Sequence, residues 1–171
     1  LSGGDPMLMY ENDEIHLTGL GLPDLERVQD PANPLRTELA TAPAGFTVSF
    51  IGMNLEEPPF DDIKFRQALN YAVNKKEIAT TALADLVVPA KGIIPPGFPS
   101  YNKDLKGYDY DPEKAKRLLS ESKYGGGPDN IPRITLSIAG NFGASVGLDM
   151  EVMLRSWQET LGVDVEIQQT E

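Results

Sequence analysis

Apolar residues recur at helical spacing most clearly within residues 58–74, where Phe65, Ala68, Leu69, Ala72 and Val73 stand at offsets 0, 3, 4, 7 and 8. That register lays them along one core-facing side of a helix. Asp61 and Asp62 precede the stripe, and they offer acceptors and negative charge to the free N–H groups of a first turn. Asp61, Asp62 and Arg66 are therefore expected to fix the helix rather than touch a ligand. Asn74 ends or bends it, and residues 75–83 predict a second helix at an angle.

The other elements follow from the same pattern. Residues 1–12 read as a loosely held leader or the end of a helix. Ile15, Leu17 and Leu20 predict a short strand, residues 23–28 a short helix and residues 35–39 a single turn. Residues 46–54 alternate apolar with small or polar side chains and are rich in β-branched and aromatic types, which predicts a strand. Asp111 and Pro112 open a helix over 111–121, with Ala115, Leu118 and Leu119 facing the core. Ile134, Leu136 and Ile138 predict a strand. A long helix from about 146 to 161 then carries Met150, Met153, Leu154, Trp157 and Leu161 on one face. Gly162 stops it, and Val163, Val165 and Ile167 alternate as a last strand. Strand, helix, strand in this order and length is a βαβ unit. No internal repeat is present.

Between the helices, residues 84–111 look irregular, with apolar side chains set among Pro89, Pro95, Pro96 and Pro99. A connection this long is either functional or the cover of a sheet edge.

Composition narrows the function classes. The 171 residues fit one domain with a sizeable core. A net charge of −11 disfavours nucleic acid and anionic lipid as partners of the chain as a whole. No cysteine is present, which removes disulfides, thiolate metal sites and cysteine nucleophiles. No window reaches the length of a membrane span, so direct insertion into a membrane is not expected. The amino end has neither an initiator Met nor a signal-peptide pattern, and the chain reads as a piece of a longer protein.

Candidate chemistry is sparse. His16 is the one histidine and lacks a nearby serine motif, and one histidine without cysteine cannot build a histidine-rich metal site. Gly125-Gly126-Gly127 follows a helix and precedes Pro128, the wrong context for a phosphate cradle. Neither a catalytic residue, a metal site nor a cofactor is expected. The stretch Asn141-Phe142-Gly143-Ala144-Ser145 lies after a predicted strand and before a predicted helix. In open α/β sheets, ligands gather at such carboxyl ends, and Asn141 can donate and accept at once. The alternative, an ordinary βα turn with a Ser cap, stays open.

The order of motifs carries a resemblance. Pro58-Pro59-Phe60-Asp61-Asp62-Ile63-Lys64-Phe65-Arg66-Gln67-Ala68-Leu69-Asn70-Tyr71-Ala72-Val73-Asn74-Lys75 closely resembles the signature of the family 5 extracellular solute-binding proteins. These are the dipeptide- and oligopeptide-binding components of bacterial and archaeal ABC importers. Glu14-Ile15-His16-Leu17 resembles the family's Gly-Glu-Ile-Asp segment, with His16 where Asp is usual. Gly92-Ile93-Ile94-Pro95-Pro96-Gly97 resembles its Gly-x-Ile-Pro-Pro turn, and Tyr110-Asp111-Pro112-Glu113-Lys114-Ala115 its Tyr-Asp-Pro-Glu-Lys-Ala helix. Leu161-Gly162-Val163-Asp164-Val165-Glu166-Ile167 resembles its Leu-Gly-Ile-x-Val-x-Ile strand. Together these cover about residues 13–168.

The resemblance implies an α/β fold, a periplasmic-binding-protein-like (type II) lobe with a mixed sheet flanked by helices. Residues 13–171 would be part of the second lobe of a two-lobed clamshell. It implies an extracytoplasmic protein that binds a di- or oligopeptide and hands it to an ABC-importer permease. Relatives of the same fold take nickel complexes, haem or oligosaccharides, and a ligand-sensing module of a regulator is the reading from another class. An enzyme is not implied. Asn141 corresponds to the family's pocket asparagine, Phe142 and Gly143 are its neighbours, and Glu57 is a rim candidate. The segment that meets a peptide's amino terminus in the family follows the last strand and has no counterpart in this sequence.

Overall fold

The computed structural model describes residues 4–40, 45–139 and 146–170, and the chain divides into two compact units, Leu1–Gly45 and Phe46–Glu171.

In the first unit, helix α1 (Pro6–Glu11) starts at Asp5, whose Oδ1 accepts the Met7 N–H at 2.9 Å. It falls within the stretch read as a leader. Helix α2 (Leu22–Gln29) follows, then a 3-10 turn over Pro34–Glu38 capped by Asn33. Met7, Leu25 and Val28 are the buried side chains of these helices. The strand expected at Ile15, Leu17 and Leu20 does not form: the segment has no ladder, and Leu17 faces solvent. Only Ile15 and Leu17 alternate, with Leu20 out of step, too short a pattern to hold a strand without a neighbour to pair with.

The second unit is organised around helix α3 (Ile63–Tyr71). All five residues of the predicted stripe are buried, and they form one cluster with Ala115, Ile134, Trp157, Leu161 and Val163. The two acids at its start divide their work. Asp62 is the N-cap, accepting the N–H of Lys64 at 2.7 Å and of Phe65 at 3.1 Å. Asp61 instead accepts from Lys123 Nζ at 2.7 Å and the Tyr124 hydroxyl at 2.6 Å. Arg66 donates to the Phe60 carbonyl at 2.5 Å. All three side chains hold α3 in place, as expected from sequence.

Helix α4 (Lys75–Glu77) begins at Asn74, whose Oδ1 accepts the Glu77 N–H at 3.2 Å, and continues as a π-helical turn over Ile78–Ala82. Helix α5 (Pro112–Ser120) is capped by Asp111, which accepts the Lys114 N–H at 2.9 Å and donates its own N–H to the Tyr71 carbonyl at 2.9 Å. That second bond ties the start of α5 to the end of α3. Residues 84–111 contain no helix or strand.

Strand β1 (Ile134–Ala139), helix α6 (Leu148–Leu161) and strand β2 (Val165–Thr170) make the predicted unit. The strands pair in parallel, from Ile134 opposite Val165 to Ala139 opposite Thr170. Gly162 ends α6 at φ 67°, a conformation that costs a side-chain-bearing residue energy. Its N–H donates to the Gln158 carbonyl at 2.9 Å.

The strand expected over residues 46–54 is not a strand among the described residues. Ile51 and Met53 pack on the core, but Phe46 and Phe50, the aromatic positions of the expected strand, face solvent, so the expected alternation does not run through the segment. A ladder also needs a partner alongside, and β1 and β2 pair with each other.

Candidate functional site

The parallel crossover fixes a junction of the kind that holds ligands in α/β sheets: the carboxyl end of β1 and the amino end of α6. Asn141, Phe142 and Gly143, the sequence candidates in this connection, lie outside the described residues. The described flank is informative. Gly147 is the N-cap of α6 and supplies no side-chain acceptor; its carbonyl takes the N–H of Met150 at 3.0 Å and of Glu151 at 3.1 Å. Asp149 and Glu151 place two carboxylates in the first turn. They offset the positive helix end, so this terminus is poorly suited to a phosphate and compatible with amides or an ammonium group.

Glu57 lies apart in sequence, in the turn that leads to α3. Its carbonyl accepts the N–H of Phe60 at 2.9 Å and of Asp61 at 3.1 Å, and its side chain is exposed. The structure therefore gives its backbone a role in shaping the turn and leaves its carboxylate to solvent.

A second concavity, of about 400 Å³, is lined by Asn74, Glu77 and Thr81 on one wall and by Arg155, Ser156 and Glu159 of α6 on the other. Several of these polar groups are already used locally: Asn74 Nδ2 donates to Glu77 at 3.0 Å, Thr81 to the Glu77 carbonyl at 2.8 Å and Ser156 to the Val152 carbonyl at 2.8 Å. Asn74 was read from sequence only as the end of the organising helix, and the others were not singled out. The signal was present, because Val152, Arg155, Ser156, Glu159 and Thr160 repeat at 0, 3, 4, 7 and 8 and define the face of α6 turned from Met153, Leu154 and Trp157.

Electrostatics concentrate at the start of α3. Hydrogen bonds from Lys123 and then from Tyr124 hold the Asp61 carboxyl below the usual carboxylate range, and the same bond pushes the Tyr124 phenol up to about 12. Burial pushes Asp62 up, but the N–H groups of Phe65, Lys123 and Lys64 outweigh it and leave that carboxyl lowered. These shifts stabilise the helix start rather than prepare a catalytic acid or base. Among the described residues, no group of three or more histidine, aspartate or glutamate side chains is placed to hold a metal ion.

A parallel crossover with helices packed on a small sheet is the architecture of a periplasmic-binding-protein lobe. The solved structure of the ABC-transporter-associated periplasmic binding protein DppA from Helicobacter pylori, in complex with the peptide STSA, superposes with a TM-score of 0.73 at 24% identity. The superposition covers 96% of this chain and 30% of that one, and it shows the fold as type II periplasmic-binding.

Residues 4–171 match the bacterial extracellular solute-binding proteins, family 5 (middle region), and the chain belongs to that family. It is 48% identical to heme-binding protein A of Haemophilus influenzae over 83 residues, which cover 48% of this chain and 15% of that protein. It is 47% identical to the dipeptide-binding protein of Escherichia coli K12 over 78 residues, which cover 46% of this chain and 15% of that protein. The chain thus matches about a seventh of the length of these relatives. No helix among the described residues is long and apolar enough to cross a membrane.

Proposed function

We propose that this chain is part of the ligand-binding lobe of an extracytoplasmic substrate-binding protein that delivers a di- or oligopeptide to an ABC-importer permease. The observation that carries the reading is the match of residues 4–171 to a solute-binding family by a chain that folds as a parallel β1–α6–β2 crossover. The relative named as a dipeptide-binding protein supports the peptide class.

The mechanism follows from two-state closure. Ligand contacts on both lobes favour the closed arrangement, and enclosure lets hydrogen bonds to the ligand main chain supply affinity. Asn141, Phe142 and Gly143 would meet the ligand at the junction after β1, with Asn141 answering a main-chain amide in both directions. Glu57 would stand at the rim. The protein binds and releases its ligand unchanged, without a cofactor.

The relative named as a heme-binding protein, at 48% identity, favours a second reading in which the same lobe serves another solute. Thermal unfolding of the complete gene product separates the two. A peptide binder gains melting temperature progressively with added di- or tetrapeptide and not with haemin, a nickel–histidine complex or an oligosaccharide. Stabilisation by one of those alone, or by none, overturns the peptide reading.

A further inference from the structure

Residues 46–53 form neither helix nor strand, and none of their backbone N–H or carbonyl groups makes a hydrogen bond among the described residues. The run is nevertheless pinned at both ends. Phe46 meets Phe98 edge-on, with ring centroids 5.6 Å apart, and a Cβ on Gly97 would lie 3.4 Å from Phe46 Cε1. At the other end Ile51 and Met53 pack against the buried cluster around α3. Between the pins the main chain is held in place with its donors and acceptors unused. Residues 87–94 are unbonded as well, but Pro89 withholds a donor there and Gly92 brings no side chain to pack in a ladder.

Whatever covers residues 46–53 has two demands to meet. Water serves unpaired backbone groups well. It does not serve the side chains, which are β-branched and aromatic, and Phe46 and Phe50 are 64% and 74% exposed. A purely apolar surface would cover the rings and leave the N–H groups unanswered. An added β-strand meets both demands, with main-chain bonds along the run and side chains laid over the rings. Strands β1 and β2 pair with each other and not with this run. The chain covers 30% of the structurally similar DppA chain, so most of a protein of that length lies outside residues 1–171.

We propose that residues 46–53 are one strand of a sheet whose neighbouring strand comes from the part of the same gene product outside residues 1–171. An open edge bearing two phenylalanines invites pairing between molecules. A strand of the same chain, present whether or not solute is bound, removes that hazard at all times. The pinned ends lower the ordering cost of the pairing, because the run is fixed before its neighbour arrives. The inference rests on membership of the family and not on which solute is bound.

Residue-resolved hydrogen exchange on the complete, ligand-free gene product tests the pairing. A neighbouring strand bonds alternate residues. The amides of Thr47, Ser49, Ile51 and Met53, or those of Val48, Phe50 and Gly52, should therefore exchange at least about tenfold more slowly than unprotected amides, and both sets should do so if strands lie on either side. Fast exchange throughout residues 47–53, with α3 still protected, overturns the proposal. So does slowing that appears only with added di- or tetrapeptide, which would make the solute the occupant, or slowing that grows with protein concentration, which would make it a second copy. With p-benzoylphenylalanine in place of Phe50, photocrosslinks should reach residues outside 1–171 of the same chain, and crosslinks confined to residues 1–171 overturn the assignment of the partner.

Discussion

Tyr124 donates its phenolic hydroxyl to Asp61 at 2.6 Å, joining the chain after α5 to the start of α3 across 63 positions of sequence. The bond has opposite consequences at the two ends of the pH scale. Asp61 has a lowered pKa when folded, so its contribution is present above the ordinary carboxylate range and is lost as pH falls through the folded value. Tyr124 has a raised pKa, so its contribution is complete below about 10 and is lost as pH rises through about 12. Denaturant unfolding across pH should show Asp61→Asn flattening both limbs, and Tyr124→Phe flattening the alkaline limb while only weakening the acid one, because Lys123 still lowers Asp61. In an absorbance titration, Tyr124→Phe should also remove a phenol that ionises at about 12.

Phe65 is fully buried and stacks edge-on against Phe60 and Tyr124, with ring centroids 6.1 and 5.7 Å apart. Truncation to alanine should cost about 3–5 kcal/mol of unfolding free energy. Chemical denaturation measures it, and a loss below about 1 kcal/mol would mean that the site collapses around the gap.

Gly162 and Gly52 make an internal control. At Gly162 an added Cβ meets a left-handed backbone and would lie 2.9 Å from Pro128 Cγ, whereas at Gly52 nothing lies within 4 Å. Gly162→Ala should lose about 1–2 kcal/mol, and Gly52→Ala should stay within about 0.5 kcal/mol of the parent. Paired melting curves decide the comparison.

Under the proposed function, Asn141 is the ligand contact with the most to lose. In the complete gene product, Asn141→Ala should weaken peptide binding by about tenfold, the loss of one or two hydrogen bonds in an enclosed site, without lowering the melting temperature of the ligand-free protein. Calorimetry gives the affinity. The isolated 171-residue chain, carrying only part of the contacts, should bind peptide weakly or not measurably, and micromolar binding to it would sink the shared-lobe mechanism.

The elements legible in the sequence were those whose signal is local. The five-residue stripe of α3, the Asp111–Pro112 start of α5 and the glycine stop of α6 each depend on neighbours within a few positions. The strand over 46–54 failed for the opposite reason: a ladder depends on a partner distant in sequence, which a local apolar pattern does not report. Likewise two adjacent acids announced a helix start, but only the arrival of Lys123 and Tyr124 decided that Asp62 caps and Asp61 clasps. The strand and helix that flank Asn141 were legible, while Asn141 itself lies outside the described residues. The concavity beside Arg155 was not legible, because its residues looked like the solvated face of an amphipathic helix.

Trp157 of α6 donates its indole N–H to the carbonyl of Leu69 at 2.9 Å, in the last turn of α3. The pair is buried and 88 positions apart. During synthesis, Leu69 leaves the ribosome roughly 4–18 s before Trp157 follows. Throughout that interval the apolar side of α3 waits for the helix that will cover it. The core of this unit is closed by its late-made part, so the apolar side of α3 lacks its α6 cover until that helix is made.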